Sequence, residues 1–214
     1  MNTIAFERPP PVMKESEPSS GEPQTDAQED VALMLRVKTG DMVAFEHLVD
    51  RHQHSVVGTV AKMLSGDADA EDIAQMVFLR VWRSAPRYEP TAKFTTWLMT
   101  ITRNLVFNEM RRRQRARFVP IDGAETDDAP PPQFEDTGAA QPGEELLKSE
   151  MQGAIDAAIA ELPENQRLAI VLRRFENMPY EEIARVLHTS VPAVKSILFR
   201  ARADLKEKLK PYLG

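Results

Sequence analysis

Trp97, Thr100, Asn104, Asn108, Arg111 and Arg115 recur at intervals of three and four, which on a helix gathers them on one side. Indole, amide and guanidinium groups stack on bases, hydrogen-bond base edges and neutralise phosphates. The stripe therefore carries the chemistry of a nucleic-acid contact. Phe94, Leu98, Ile101 and Leu105 fall on a neighbouring face of the same segment and would anchor it in a core. A solvated helix whose arginines merely match its C-terminal dipole would show a similar pattern, so the stripe needs support from elsewhere in the chain.

A second set of groups supplies that support. Leu162-Pro163-Glu164 opens a helix with proline at its start, where a missing N–H costs little, and its apolar residues continue to Phe175. Asn177-Met178-Pro179 interrupts the chain, a short helix runs from Tyr180 to Leu187, and Ser190 with Pro192 starts a longer one. A short helix, a tight turn and a second helix make a helix-turn-helix. Ile183, Ala184, Leu187, Val191, Val194 and Leu198 form its apolar seam, and the small Ala184 lets the two helices approach. The exposed face of the second helix offers Lys195, Ser196, Phe199, Arg200 and Arg202 to a major groove.

The elements that position these groups are all helical. No segment alternates as a strand does, and no internal repeat is present, so the fold class is all-α, with two helical domains. Gly40-Asp41 and Ser65-Gly66-Asp67 break the first block into helices, the third running from about Ala68 to Ser84. Pro86 and Pro90 punctuate the loop ahead of Phe94. Residues 1–28 hold five prolines and little apolar material and are expected to form a disordered arm. Residues 29–117 form the first bundle, 118–143 an acidic, proline-rich flexible linker, and 144–214 the helix-turn-helix domain.

Charge is distributed very unevenly. The net charge is −6, yet Arg103 to Arg117 contains six arginines against one glutamate, and Phe118 to Glu145 contains eight acids and no base. That pattern excludes a protein that coats nucleic acid uniformly and favours selective contacts made within a larger assembly. The absence of cysteine removes disulfides, thiol catalysis and thiolate zinc sites. No apolar run approaches a membrane span, and the N-terminus lacks a signal-peptide core, so the expectation is a cytoplasmic protein without membrane insertion. No H-E-x-x-H, phosphate-binding glycine loop or G-x-S-x-G is found, so the expectation is no enzyme, no catalytic residue and no cofactor. His47, His52 and His54, near Glu46 and Asp50, read as solvated helix histidines rather than a metal site. A conventional helix-turn-helix regulator would explain the C-terminal block but gives the first bundle no purpose.

Four segments in this order resemble the extracytoplasmic-function (ECF) family of RNA polymerase sigma factors, within the sigma-70 superfamily. They are Gly40-Asp41-Met42-Val43-Ala44-Phe45; Asp69-Ala70-Glu71-Asp72-Ile73-Ala74-Gln75; Phe94-Thr95-Thr96-Trp97-Leu98 running to Ile101 and Asn104; and Leu162-Pro163 through Tyr180-Glu181-Glu182-Ile183-Ala184 to Phe199-Arg200-Ala201-Arg202. The resemblance covers most of Asp30 to Leu209 outside the linker. It implies a factor that binds core RNA polymerase and directs promoter-specific initiation, reading minus-ten and minus-thirty-five DNA and assisting melting. Its partners would be core RNA polymerase (the β′ clamp coiled coil and the β flap), promoter DNA and an anti-sigma factor.

The resemblance also implies residue roles. Asp72, Gln75 and Leu79 match the surface that docks on the β′ coiled coil. Phe94, Trp97, Asn104, Arg111, Arg112 and Arg115 match the element that reads and melts the minus-ten region, with Asn104 touching the non-template strand and a loop pocket holding an extruded base. Lys195, Ser196, Phe199, Arg200 and Arg202 match minus-thirty-five contacts, although Lys195 cannot make the bidentate fork of an arginine. The acidic linker resembles a segment that threads the RNA-exit path.

Overall fold

The computed structural model describes residues 23–66, 69–118 and 142–212. Eight α-helices run through these residues: α1 Pro23–Lys38, α2 Met42–Leu64, α3 Ala70–Ser84, α4 Phe94–Phe118, α5 Pro142–Ala160, α6 Glu164–Arg174, α7 Tyr180–Val186 and α8 Val191–Leu209. Short 3₁₀ turns follow α3 at Ala85–Arg87 and α8 at Lys210–Tyr212. No strand occurs among the described residues. Most of the proposed linker, residues 119–141, and residues 1–22 of the proposed arm lie outside them.

Local chemistry accounts for the breaks. Gly40 has φ of +92°, a backbone that a side chain would strain, and it turns the chain from α1 into α2. Asp41 caps α2 by accepting from the Ala44 N–H at 3.0 Å. That bond, followed by the Arg36 guanidinium, lowers the Asp41 pKa. At the other end Ser65 adopts the left-handed conformation, and its N–H returns to the Ala61 carbonyl. Helix α1 begins at Pro23, earlier than the expected end of a disordered arm at Gln28. Arg51 of α2 pairs along α1 with Asp26, Glu29 and Asp30 at 3.5, 2.9 and 2.9 Å.

Helices α1 to α4 enclose Met34, Leu48, Val56, Val60, Val77 and Leu98, all fully buried or nearly so. Helices α6 to α8 enclose Leu168, Leu172, Ile183, Val194 and Leu198. The helix-turn-helix turn places His188 at φ of 52°, and the Thr189 N–H donates to the Ala184 carbonyl at 2.9 Å. Ser190 caps α8 by accepting from Ala193 N–H at 3.4 Å, with Pro192 in the first turn. The two sets of core residues are contiguous, because α2 and α4 pack against α5, α6 and α7.

Candidate nucleic-acid interface

Helix α4 divides its sides much as the spacing suggested, with one rotation. Leu98, Met99, Thr102, Val106 and Phe107 are buried, while Ile101 and Leu105 lie at the margin of the core. Asn104, Asn108, Arg111 and Arg115 are exposed along one stripe. Trp97 is half-buried, its ring 5.0 Å from that of Tyr88 and 6.0 Å from that of Phe94. Phe94 is 0% exposed and packs against His52 at 5.2 Å between ring centroids. It therefore has no surface for DNA in this form. Its place at the first turn of α4 directs it onto α2, so it supports the loop instead of lining its mouth.

The arginines are not equivalent. Glu109 is almost fully buried on the inner flank of α4 and accepts two hydrogen bonds from Arg112, at 2.7 and 2.8 Å, and one from Arg113 at 2.9 Å. Arg112 and then Arg113 hold its pKa at about 2, against an ordinary 4.5. Arg113 also pairs with Asp69, tying α4 to the start of α3. Asp69 precedes α3 but makes no side-chain cap bond to it. Arg111 and Arg115 make no ion pair among the described residues, so theirs is the least compensated charge on the helix. The sequence reading missed this division, although Glu109 stands three and four residues before its two partners, a recognisable helix spacing.

Arg103 was missed as well. It donates to the Asn104 side-chain oxygen at 3.1 Å and lies over the Phe107 ring at 4.9 Å. Burial and then the Arg111 charge lower its pKa. Arg103 thereby engages the Asn104 side-chain oxygen.

Two further surfaces are formed. On α3, Asp72, Gln75, Met76 and Leu79 are exposed at helical spacing, with Leu79 54% exposed. On α8, Lys195, Ser196, Phe199, Arg200 and Arg202 are all exposed, and Phe199 at 74% is the most exposed of the large apolar side chains described. The Ser196 hydroxyl donates to its own helix at Pro192 O, 3.1 Å away. Arg202 reaches back to the Tyr180 hydroxyl, whose pKa it lowers. Lys195, Phe199 and Arg200 thus present the most outward chemistry of the second reader. The three neighbouring histidines diverge: His47 and His54 are exposed, and His52 turns inward to Asp30 at 3.0 Å. Among the described residues, no group of three acidic or histidine side chains could hold a metal ion.

Two family descriptions match the two blocks that carry these surfaces. Sigma-70 region 2 matches residues 48–116, and Sigma-70, region 4 matches residues 152–205. The RNA polymerase sigma-H factor of Pseudomonas aeruginosa is 33% identical over 190 residues, covering 87% of this chain and 96% of the relative. The ECF RNA polymerase sigma-E factor of Escherichia coli is 32% identical over 189 residues, covering 86% of this chain and 96% of that protein. The chain belongs to the ECF sigma factors. Among solved structures, CnrH in complex with the cytosolic domain of CnrY superposes with a TM-score of 0.63 at 25% identity, covering 86% of this chain and 98% of that one. The sigma factor RpoE of Bartonella quintana, in complex with the anti-sigma factor NepR, has the same fold, with a TM-score of 0.58 at 24% identity over 78% of this chain and 96% of that one. This sigma factor is a promoter-recognising initiation factor, not an enzyme. No helix among its described residues is long and apolar enough to cross a membrane.

Proposed function

We propose that residues 29–117 bind core RNA polymerase and the melted minus-ten element, and that residues 144–214 bind the minus-thirty-five duplex and the β flap. The α3 stripe of Asp72, Gln75 and Leu79 is the docking surface for the β′ clamp coiled coil. An exposed leucine beside an acid and an amide suits a partner helix that offers both an apolar ridge and basic groups. The α4 stripe holds single-stranded DNA: Asn104 hydrogen-bonds a base edge, Trp97 flanks the loop pocket, and Arg111 and Arg115 hold phosphates. Arg112 contributes mainly by orienting Glu109 and the end of the helix. On α8, Lys195 and Arg200 reach the groove and backbone, Phe199 covers an apolar base edge, and Ser196 and Arg202 complete the contact.

The observation that carries this reading is the presence of two differently built readers on one chain. The α4 stripe combines an amide, an indole and guanidinium groups, as single-strand binding requires. The α8 face sits on a helix-turn-helix, as duplex reading requires. A duplex-only regulator has no use for the first. The relatives solved with NepR and with the cytosolic domain of CnrY support an anti-sigma partner for this chain too, and such an assembly belongs in the cytoplasm.

Run-off transcription with purified core polymerase on genomic fragments tests the reading. New promoter-specific transcripts that require the chain are expected. Tight duplex binding without core, together with no transcripts when core is added, would show a conventional regulator instead.

A further inference from the structure

The loop ahead of α4 is pinned at both ends. Residues 89–93 lie largely at the surface between two buried aromatics, Tyr88 and Phe94, which are 1% and 0% exposed. Both rings pack on Trp97, at 5.0 and 6.0 Å between centroids. The place of Trp97, and with it one flank of the loop pocket, therefore follows from where the two ends are held.

Side-chain packing holds the Phe94 end. The His52 ring of α2 lies 5.2 Å from that of Phe94. His52 Nε2 stands 3.0 Å from one Asp30 oxygen on α1, off the line of a hydrogen bond, and Arg51 Nε takes the other oxygen at 2.9 Å. Neighbouring Lys93 pairs with Glu182 at 2.8 Å.

The Tyr88 end has a single polar hold from outside its own turn. The chain leaves the 3₁₀ turn there with φ of −66° and ψ of 131°, and the Tyr88 N–H returns to the Ala85 carbonyl at 3.0 Å. The ammonium of Lys38, the last residue of α1, donates to the Tyr88 carbonyl at 2.9 Å. Among the described residues that carbonyl has no other partner. The Tyr88 hydroxyl is buried without a hydrogen-bond partner among them, so it adds no directional hold. A lysine in the last turn of a helix can serve that helix's own terminal carbonyls. Lys38 instead reaches a peptide fifty residues along the chain. A hydrogen bond with a charged donor is roughly twice as strong as a neutral one, and this one is partly shielded from water. Without it the core is untouched, but the peptide that leads into the loop is free to turn.

We infer that Lys38 is a positioning residue for minus-ten recognition: it fixes the Tyr88 peptide, and through Tyr88 the place of Trp97 and the pocket for the extruded base, without touching DNA itself. The inference rests on the assignment of this loop and α4 as the minus-ten reader. Helix α1 thereby takes part in base selection. Arg111 and Arg115 stand roughly 20 Å or more along α4 from Trp97, so the phosphate contacts assigned to them do not depend on Lys38.

Two measurements on the full chain test this. In hydrogen–deuterium exchange of the free protein, Lys38→Met should exchange several-fold faster across residues 88–97 and at the native rate in α8. Lys38→Arg, which keeps a charged donor, should restore the slow exchange. The second measurement uses holoenzyme assembled with core polymerase and a fork DNA whose non-template minus-ten strand is single-stranded, either intact or abasic at each position in turn. The native chain should lose affinity sharply at the position of the extruded base. Lys38→Met should shrink that intact-to-abasic ratio roughly fivefold, because the binding-competent loop is less populated. Core affinity and the salt dependence of DNA binding should stay native, and Lys38→Arg should recover the ratio. A lysine with a merely structural role would weaken binding to intact and abasic strands alike, and that result would overturn the inference. An unchanged ratio in Lys38→Met would overturn it too, whatever the exchange shows. A native chain with no base-sensitive position would count against the minus-ten assignment, while faster exchange in Lys38→Met would still support the hold of Lys38 on the loop.

Discussion

Replacing Glu109 by glutamine separates the internal work of the α4 arginines from their work on DNA. The carboxylate is almost fully buried and receives three hydrogen bonds from Arg112 and Arg113, which hold its pKa at about 2 against 4.5. A displacement of that size corresponds to at most about 3.4 kcal/mol. Arg112 stands largely in water, which screens its share, so the expected loss of stability at pH 7 is about 1–2 kcal/mol. The folded pKa lies below the unfolded one. The stabilisation is therefore complete above about pH 4.5 and fades as pH falls toward 2. Urea unfolding of both proteins at pH 7 and pH 3 should show the difference shrinking to less than half at pH 3. The same substitution frees Arg112, while Arg113 keeps its pairing with Asp69. If Arg112 then reaches a phosphate, the salt dependence of single-strand binding should steepen by about 0.7 in log–log slope. A difference below about 0.3 kcal/mol at pH 7, or one that persists undiminished at pH 3, would refute the role given to Glu109. An unchanged salt slope would show that freeing Arg112 adds no phosphate contact.

Three further substitutions test the other surfaces. Phe199→Ala should weaken minus-thirty-five duplex binding at least several-fold in fluorescence anisotropy while changing folding stability by no more than about 0.5 kcal/mol, because the ring is 74% exposed. Leu79→Asp should reduce core-polymerase binding in a pull-down or interferometry assay and leave minus-ten oligonucleotide binding unchanged; equal loss of both would indicate damage to the bundle. Ser190→Ala removes the cap on α8 and should cost about 0.5–1 kcal/mol in thermal unfolding, a value near zero showing that the 3.4 Å contact contributes nothing.

Much of the helical layout could be read from local chemistry. Gly40-Asp41, Ser65-Gly66, Asn177-Met178-Pro179 and Ser190 with Pro192 each mark a helix boundary, because each break is made by residues next to it in the chain. The apolar seam of the helix-turn-helix was legible for the same reason, and Ile183, Ala184, Leu187, Val194 and Leu198 are buried together. Phe94 is buried, as its place on the apolar face with Leu98 predicts; the DNA role implied for it came from the resemblance and not from its spacing. The start of α1 at Pro23 has no local signal in the proline-rich composition that precedes it. The contact between the two blocks is the extreme case. Arg167, Glu176 and Glu182 look like ordinary surface charges of a helical domain, and only the packing of α2 and α4 against α6 and α7 gives them partners. The Glu109 pairing differs, since its spacing to Arg112 and Arg113 was available but the arginine cluster was read as a single charge.

Promoter opening with Asn104→Ala tests the central claim most directly. Permanganate reactivity of unpaired thymines would be followed on a promoter fragment with core polymerase and either the native chain or the variant, alongside core binding. The account expects native protein to open the minus-ten region and Asn104→Ala to lose most of that reactivity while binding core normally. Opening that proceeds unchanged with Asn104→Ala, or that never depends on the chain, would contradict it.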